Sequence, residues 1–330
     1  MKYILVTPDI SVEKICYQDM IAMDDVKEYS TDSQESVTFC SILKKIHTGL
    51  RVAACIDMPF KEIYYKDLFG MIEDNTCIIF NHISAGKMGK RILNKIKAYK
   101  KNVKIVLLLW DSFDANSPSL FRSWNSVKNV KWDVIFSYDE KDCKKYGFVY
   151  MGKNYYSVKK GIIPSCNASD LYFIGRDKKN DTRIELVAKI YKYLKQYNIN
   201  FNCNIVKNSA LSKKHIEEIK IQNQNIPYDC VLADVMSSNC ILEVLQRGQE
   251  QQTLRYFEAV CYNKKLLTNN PKIVNLPFYN KRYMKYFSRP EDIDINWLQK
   301  KENINYGYNG EFSSAKLIDR IKEIEKSNAW

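Results

Sequence analysis

The segment from Val103 to Asp111, VKIVLLLWD, is apolar almost throughout and ends on a carboxylate. A strand with one face in water alternates apolar and polar residues, whereas a strand covered on both faces has no need to alternate. The run therefore predicts a central strand of a parallel sheet, with helices packed on both faces of that sheet.

Shorter apolar runs of the same kind occur at 2–6 (KYILV), 77–81 (CIIFN) and 133–139 (DVIFSYD). Between 77–81 and the central run lies KMGKRILNKIKAYKK, which places isoleucines on one helical face and lysines elsewhere. A strand, a helix and a strand at this spacing predict a βαβ unit.

The second half of the chain repeats this pattern. A helix is predicted from Thr182, because Thr182 and Glu185 have the spacing of a capping box and an apolar stripe follows. A last helix is predicted from about Ser313 to Lys326. Further strands are predicted at 170–176, 200–206, 230–235, 240–245 and 264–270.

The chain has 330 residues, which is long for a single hydrophobic core. We expect a first domain at 1–150, a linker at 151–166, a second domain at 167–310 and a C-terminal helix at 311–330. The linker contains two glycines and a proline and has no sustained period. The expected fold class is α/β, with two Rossmann-like doubly wound domains facing a cleft, and such clefts are favoured ligand sites.

The charge balance predicts anionic partners, because 51 Lys and Arg face 38 Asp and Glu, a net charge of +13. No basic run reaches the five or six residues of a nucleic-acid tail, so nucleic acid is not an expected partner. The ten cysteines are scattered without a CxxC pair, which argues against a zinc or redox site. No apolar stretch is long enough to span a membrane, and we expect a cytoplasmic protein.

One candidate site follows the strand predicted at 170–176. That strand ends in Gly175 and Arg176, and a loop with Lys179 leads into the next helix. A glycine permits close backbone approach, a helix start offers free N–H groups, and the cations suit a diphosphate. An ordinary loop with exposed cations is the alternative.

A second candidate site lies in the polar stretch just before and at the start of the helix predicted at 252–262. Gln252 and Thr253 stand at its start, where phosphate oxygens can bind. Glu258 lies about one and a half turns further on, and a carboxylate there can accept both hydroxyls of a ribose. The alternative for Glu258 is a solvated position on an exposed face.

Three residues are candidates for the base that deprotonates an acceptor hydroxyl. His82 and Asp111 stand at the carboxyl ends of predicted strands, and Asp57 lies in the segment CIDMPF. Each of them can equally be a capping or hydrogen-bonded residue.

The segments EQQTLRYFEAVCYNKKLLTNN (250–270) and SYDEKDCKKYGFVYM (137–151) resemble GT-B glycosyltransferases. They are most similar to bacterial enzymes of lipopolysaccharide-core and capsule synthesis. The resemblance implies that Glu258 binds the ribose, and that Thr253 and Gln252 meet the diphosphate. It implies that Arg255 reaches a phosphate or braces the loop.

The resemblance extends to four other positions. Gly175 and Arg176 match the end of the first strand of the sugar-nucleotide domain, with Lys179 as a companion cation. Glu250 and Glu258 have the E-x7-E spacing of retaining enzymes, in which the first glutamate touches the donor sugar. The sequence leaves inversion or retention open.

The implied activity is transfer of a sugar from a nucleotide-diphosphate donor to a glycan or lipid-linked glycan acceptor, in lipopolysaccharide or capsule synthesis. The resemblance implies that the first domain, 1–150, binds the acceptor and that the second domain, 167–310, binds the nucleotide sugar. No cofactor and no metal are expected, since cations and a helix dipole can neutralise the leaving diphosphate. Basic helices such as 87–101 predict attraction to an anionic membrane surface, with the protein peripheral at its inner face. The alternatives are a sugar-nucleotide epimerase on the same scaffold and a non-catalytic nucleotide-binding module.

Overall fold

The computed structural model describes residues 1–32, 39–115, 117–152, 155–177, 182–206, 219–222, 224–246 and 251–327. The chain divides into two compact units. Unit 1 comprises Met1–Ser157 and Phe312–Trp330, and unit 2 comprises Val158–Glu311. Each unit is built around one six-stranded sheet.

The sheet of unit 1 has the strand order β2-β1-β3-β4-β5-β6, and all of its described pairings are parallel. Its strands are β1 (Lys2–Thr7), β2 (Val26–Ser30), β3 (Thr76–Asn81), β4 (Lys104–Leu109), β5 (Val134–Ser137) and β6 (Val149–Tyr150). Strand β4 coincides with the apolar run of the sequence and is buried along almost all of its length, as predicted for a central strand.

The helices of unit 1 cover both faces of this sheet with apolar stripes. They are α1 (Ser11–Cys16), α2 (Gln18–Ile21), α3 (Phe39–Thr48), α4 (Leu50–Ala53), α5 (Lys66–Met71), α6 (His82–Tyr99), α7 (Pro118–Val127), α8 (Glu140–Tyr146) and α13 (Ala315–Lys326). The last of them, α13, buries Leu317 and Ile321 in the same cluster as Tyr3 and Leu5 of β1, so the C-terminal segment completes the core of unit 1.

Helix α6 starts at the carboxyl end of β3 and is bent. The side chain of Asn81 caps it by accepting a hydrogen bond from the amide of Ile83 at 2.7 Å. At Gly89 the backbone leaves the helical conformation, with φ 79° and ψ 171°. The positive φ suits glycine. Past this bend, Oδ2 of Asp57 accepts a hydrogen bond from the amide of Arg91 at 2.6 Å.

The sheet of unit 2 has the order β12-β11-β10-β7-β8-β9, again with parallel pairings. Its strands are β7 (Ser169–Arg176), β8 (Phe201–Val206), β9 (Lys220–Gln222), β10 (Ser238–Glu243), β11 (Lys265–Thr268) and β12 (Met284–Tyr286). The helices of this unit are α9 (Thr182–Lys195), α10 (Tyr228–Ser237), α11 (Leu254–Cys261) and α12 (Ile295–Gln299).

Strand order reverses once in each sheet. In unit 1 the chain moves outward from β1 in both directions, so the reversal lies between β1 and β3. In unit 2 it lies between β7 and β10. Ligands of open α/β sheets bind at the carboxyl ends of the strands beside such a switch point. The topology therefore marks one edge position in each unit.

The segment 230–235 is helical, and the prediction of a strand there was wrong. It lies within α10, which buries Tyr228, Val231, Leu232 and Val235. These positions have the spacing of a helical stripe, which becomes visible only when the window includes Tyr228. The six-residue apolar window alone does not distinguish a strand from a buried helix.

The packing of α6 on α7 yields a prediction. A Cβ added at Gly86 would lie 2.7 Å from Cα of Ser123 in α7. Because the backbone of α7 would have to shift, we expect Gly86→Ala to lower the free energy of unfolding by about 1–3 kcal/mol, measured by urea denaturation. Gly70→Ala in α5 is the matched control, because no described atom lies within 4 Å of its added Cβ. Equal unfolding midpoints for the two variants would contradict this packing.

Candidate functional site

The switch point of unit 2 is framed by the ends of β7 and β10 and by the starts of α9 and α11. Strand β7 ends at Arg176 and β10 ends at Glu243. In a parallel sheet, the helices that follow these strands begin at the same edge, with their N-terminal dipole ends turned towards it. This edge therefore collects the polar groups of the unit.

A cavity of about 480 Å³ opens at this edge. It is lined by the first turns of α9 and by the segments that follow β10 and β11. Six of its ten lining residues are polar, with two cations and one anion: Thr182, Arg183, Glu185, Lys189, Gln246 and Asn269. Its volume lies within the roughly 300–1,000 Å³ of small-molecule sites. The lining suits a polar ligand that carries negative charge.

Gly175 and Arg176 lie where the sequence predicts them, at the end of β7. A Cβ at Gly175 would come within 2.7 Å of Cζ of Phe173, so a larger residue at this strand end would displace the ring. The side chain of Arg176 is exposed, and its carbonyl oxygen accepts a hydrogen bond from Nη2 of Arg183 at 2.5 Å. This bond joins the end of β7 to the first turn of α9 and to the cavity lining.

The start of α11 is closed by the chain itself. Thr253 is the N-cap, and its Oγ1 accepts a hydrogen bond from the amide of Arg255 at 3.2 Å. The amide and the hydroxyl of Thr253 donate to Oε1 of Glu243, at 3.0 and 2.7 Å. The amide of Tyr256 is bonded to the carbonyl of Thr253. Few N–H groups at the start of α11 are therefore left for phosphate oxygens. The cavity with cationic residues in its lining lies at the start of α9 instead. The assignment of Thr253 to the diphosphate stays a prediction.

Glu243 is a residue that sequence reasoning missed. Its side chain is fully buried, and its Oε2 accepts a hydrogen bond from Oγ1 of Thr268 at 2.6 Å. Burial raises the pKa of this carboxyl, while the hydroxyls of Thr268 and Thr253 oppose that shift. Glu243 thus ties the ends of β10 and β11 to the start of α11. A glutamate inside the apolar run CILEVL was the signal that could have revealed it.

Glu258 is fully buried, so the alternative of a solvated glutamate is excluded. Its Oε1 accepts a hydrogen bond from the hydroxyl of Tyr228 at 2.6 Å and lies 2.6 Å from Nη2 of Arg255. Its Oε2 has no hydrogen-bond partner among the described residues. Burial raises the pKa of Glu258, and the charge of Arg255 opposes this. Arg255 therefore braces Glu258 from within the same helix, and ribose binding by Glu258 stays a prediction.

Of the remaining residues predicted for the donor site, one lies within the described part of the chain and two do not. Gln252 is buried immediately before the N-cap of α11. Lys179 and Glu250 lie outside the described residues.

Two of the three predicted catalytic residues come together in unit 1. His82 is the first residue of α6 and is buried; Asp111 follows β4, the neighbour of β3. Burial lowers the pKa of His82, and the carboxylate of Asp111 opposes that shift. Oδ2 of Asp111 accepts a hydrogen bond from the hydroxyl of Ser117 at 2.8 Å.

Asp57 is engaged at the bend of α6. Besides the amide of Arg91, it contacts the buried ammonium of Lys61, with Nζ 3.3 Å from Oδ1. These contacts support the bend near Gly89. Within the described ranges, no group of three His, Cys, Asp or Glu side chains could hold a metal ion. No helix in that part of the chain is long and apolar enough to cross a membrane.

Comparison with solved structures identifies the fold. The chain is similar to S. aureus MnaA, solved with UDP, at a TM-score of 0.51 and 11% identity, over 99% of this chain and 97% of that one. The fold class is GT-B. This confirms the expected α/β class with two Rossmann-like sheets. No protein-family model and no curated protein matches the sequence.

Two further solved structures are similar at lower scores. Trehalose-6-phosphate synthase OtsA gives a TM-score of 0.49 and 8% identity, over 88% of this chain and 89% of that one. TarM gives 0.48 and 14% identity, over 83% of this chain, which spans 58% of the length of TarM.

The cap of α11 yields a prediction. Thr253→Ala removes the bond to Arg255 and one donor to buried Glu243, so we expect a loss of about 1–2 kcal/mol of unfolding free energy, measured by urea denaturation. Thr253→Ser keeps the hydroxyl and should unfold close to the wild type. If serine and alanine destabilise equally, the hydroxyl does not hold this helix start.

Proposed function

We propose that the chain is a glycosyltransferase that uses a nucleotide-diphosphate sugar, bound in the cavity of unit 2. The observation that carries the proposal is this cavity itself, which lies at the switch point of a Rossmann-like sheet within a GT-B fold. The diphosphate lies at the start of α9, where Arg176 and Arg183 meet.

The chemistry follows from the charges at this edge. An acceptor hydroxyl oxygen forms a bond to the anomeric carbon, and the bond from that carbon to the diphosphate breaks. The leaving diphosphate gains negative charge, and groups that are already in place stabilise it most effectively. The guanidinium of Arg183 in the cavity lining, the dipole of α9 and the charge of Arg176 at the adjoining end of β7 are such groups. They supply this stabilisation without a metal ion.

The proposed acceptor is a glycan or lipid-linked glycan of cell-surface polysaccharide synthesis, reached at the inner face of a membrane. Helix 87–101 supports this less than its sequence suggests. Lys87 pairs with Asp32 at 2.6 Å, Lys95 with Glu62, and Lys97 with Asp133 at 3.0 Å. Three of its seven cationic side chains are therefore paired within unit 1.

A better surface for a membrane is formed by α3 and the turn Lys61–Tyr65 with the residues around them, which we name the α3 patch. It exposes large apolar side chains beside cations: Ile42, Ile46, Phe60, Ile63, Lys45, Arg51 and Lys66. Exposed apolar groups can enter the acyl boundary, while lysine and arginine attract anionic headgroups.

The donor site is tested through Arg176. We expect Arg176→Ala to weaken donor binding roughly 10- to 100-fold, because a charge-assisted hydrogen bond contributes about 1.5–3 kcal/mol. Binding is measured by thermal shift and calorimetry with UDP-, GDP- and dTDP-sugars. Arg282→Ala is the matched control, since Arg282 is an exposed arginine of unit 2 that precedes β12, at the opposite edge of the sheet.

The outcomes of this test separate the alternatives. Equal donor affinity for Arg176→Ala and the wild type would place the diphosphate elsewhere. Released nucleoside diphosphate together with a glycosylated product supports a transferase. An epimerised donor would indicate the epimerase, and tight binding without turnover would indicate a non-catalytic module.

The α3 patch is tested through Phe60, which is 73% exposed and has a positive φ of 60°. Phe60→Asn removes the apolar ring and suits this backbone, so the fold should tolerate it. We expect binding to phosphatidylglycerol vesicles to weaken at least threefold, measured by co-sedimentation. Val274→Asn, at a 54% exposed position of unit 2, is the control. Unchanged binding of Phe60→Asn would contradict the assignment of this surface.

A further inference from the structure

We propose that unit 2 binds the phosphate group of a small soluble molecule, such as a phosphate monoester, in a second cavity at the amino-terminal edge of its sheet. This cavity has a volume of about 460 Å³ and lies beside β12 and α12. The charged residues of its lining are Lys281, Arg282, Lys285, Asp294, Lys300 and Glu302. The inference is independent of the proposed transferase function, because the donor cavity lies at the other edge of this sheet.

Strand β11 separates the two cavities of unit 2. Lys265 is the first residue of β11, and its ammonium packs against Trp297, which lines the second cavity. Asn269 follows the last residue of β11 and lines the cavity proposed for the donor. The two cavities therefore lie at opposite ends of one strand, and a small ligand in one of them does not occupy the other.

Positive charge is in excess around the second cavity. Four of its lining residues are cations and two are carboxylates. A fifth cation lies behind the wall, because the side chain of Lys265 is fully buried and its Nζ lies 5.0 Å from the ring centroid of Trp297. This Nζ donates hydrogen bonds to the carbonyls of Trp297 and Lys300 and lies 3.9 Å from Oε1 of Glu302. Such an excess of cations over carboxylates favours an anionic ligand.

One of the two carboxylates, Glu302, is already engaged by the protein. Its side chain is only 6% exposed, and its Oε2 accepts a hydrogen bond from Nε of Arg282 at 2.7 Å, with Nη2 also at 2.7 Å. Burial acts to raise the pKa of Glu302, yet the hydrogen bond and the charge of Arg282, with two nearby lysines, hold that pKa below its usual value. Glu302 and Arg282 therefore form a fixed part of the wall.

Two cations of the lining remain for a ligand. Within the described part of the chain, Lys281 and Lys285 form no ion pair. The other carboxylate of the lining, Asp294, caps α12, because its Oδ1 accepts a hydrogen bond from the amide of Trp297 at 3.0 Å. A bound anion therefore meets two ammonium groups that the described residues leave uncompensated.

The uncharged part of the lining decides the class of anion. Asn296 adds a neutral amide, and Trp297, which is 8% exposed, is the single apolar residue among the described residues of the lining. The indole N–H of Trp297 donates to the carbonyl of Arg282 at 2.7 Å, so this ring belongs to the wall. The lining thus offers little apolar surface for an acyl chain, which favours a soluble ligand over a lipid.

The charge of the ligand follows from the two available lysines. Lysine ammonium groups bind phosphate as point charges, and two of them match the two negative charges of a phosphate monoester. A neutral sugar would leave both charges unmatched. The cavity therefore suits a phosphate group better than an uncharged ligand.

The experiment titrates the full chain with inorganic phosphate, by calorimetry in a chloride buffer of low ionic strength. The double variant Lys281→Gln/Lys285→Gln removes both available ammonium groups, so we expect phosphate to bind roughly 10-fold more weakly. The matched control is Lys160→Gln/Lys192→Gln, which removes two exposed lysines of unit 2 outside this lining and changes the net charge equally. The control should keep the wild-type affinity. Equal weakening in both double variants would reduce the effect to net charge and overturn the site.

A variant with the opposite expected sign tests the position of the ligand. Asparagine caps a helix as well as aspartate does, so Asp294→Asn should keep α12 and unfold close to the wild type. Because this variant removes a negative charge from the lining, we expect phosphate to bind roughly threefold more tightly. Unchanged or weaker binding in a variant of wild-type stability would contradict a phosphate at this place.

Arg183→Ala separates this site from the donor cavity, whose lining includes Arg183. It should bind inorganic phosphate at the second cavity as the wild type does. A loss of phosphate affinity in Arg183→Ala, with none in Lys281→Gln/Lys285→Gln, would place the phosphate in the donor cavity and overturn the inference. If the wild type bound phosphate through these lysines but bound no nucleotide sugar, the second site would stand and the transferase proposal would fail.

Vesicles separate a soluble phosphate from a lipid headgroup. Co-sedimentation with phosphatidylglycerol vesicles should be the same for the wild type and for Lys281→Gln/Lys285→Gln. Weaker vesicle binding by this variant, in a protein without affinity for inorganic phosphate, would assign the two lysines to a membrane surface. That result would overturn the soluble ligand.

Discussion

Parallel strand pairing is the constraint on which the rest of the structure depends. A parallel strand can be reached only through a crossover, so every carboxyl end lies at one edge of its sheet and the next helix starts there. Where the strand order reverses, the two neighbouring crossover connections run in opposite directions, so a crevice remains between them at that edge. The polar residues beside β7 and β10 in unit 2, and beside β1 and β3 in unit 1, are collected by this geometry.

Three glutamate carboxyl groups are buried in this fold, and they differ in how their oxygens are hydrogen-bonded. Glu243 receives three hydrogen bonds from threonine groups, which makes it a joint between two strands and a helix. Glu258 accepts a hydrogen bond from Tyr228 and forms an ion pair with Arg255. Removing one partner of this ion pair would leave the other as an unpaired buried charge. Glu13 is 4% exposed, and its Oε2, like Oε2 of Glu258, has no hydrogen-bond partner among the described residues. Of these three carboxyl groups, Glu243 is the one whose two oxygens both accept hydrogen bonds from described residues.

The starts of α9 and α11 in unit 2 have similar sequence patterns but differ in the fold. Each follows a strand and a polar loop, a pattern that predicts a phosphate site. The start of α11 is closed, because Glu243 comes from a neighbouring strand end to occupy the amide and hydroxyl of Thr253. The start of α9 borders an open cavity with arginine at its edge. A contact between residues ten positions apart, through a strand end and a loop, is not visible in a local pattern.

The sequence by itself determined the α/β class, most strands, and the positions of Gly175, Arg176, His82 and Asp111 at strand ends. Apolar runs and helical stripes are local features of the sequence, and burial against any apolar surface of the fold stabilises them. Only the tertiary structure decided that 230–235 is helical and that Glu258 and Glu13 are internal. Those outcomes depend on strand order, and strand order depends on which distant surfaces bury one another.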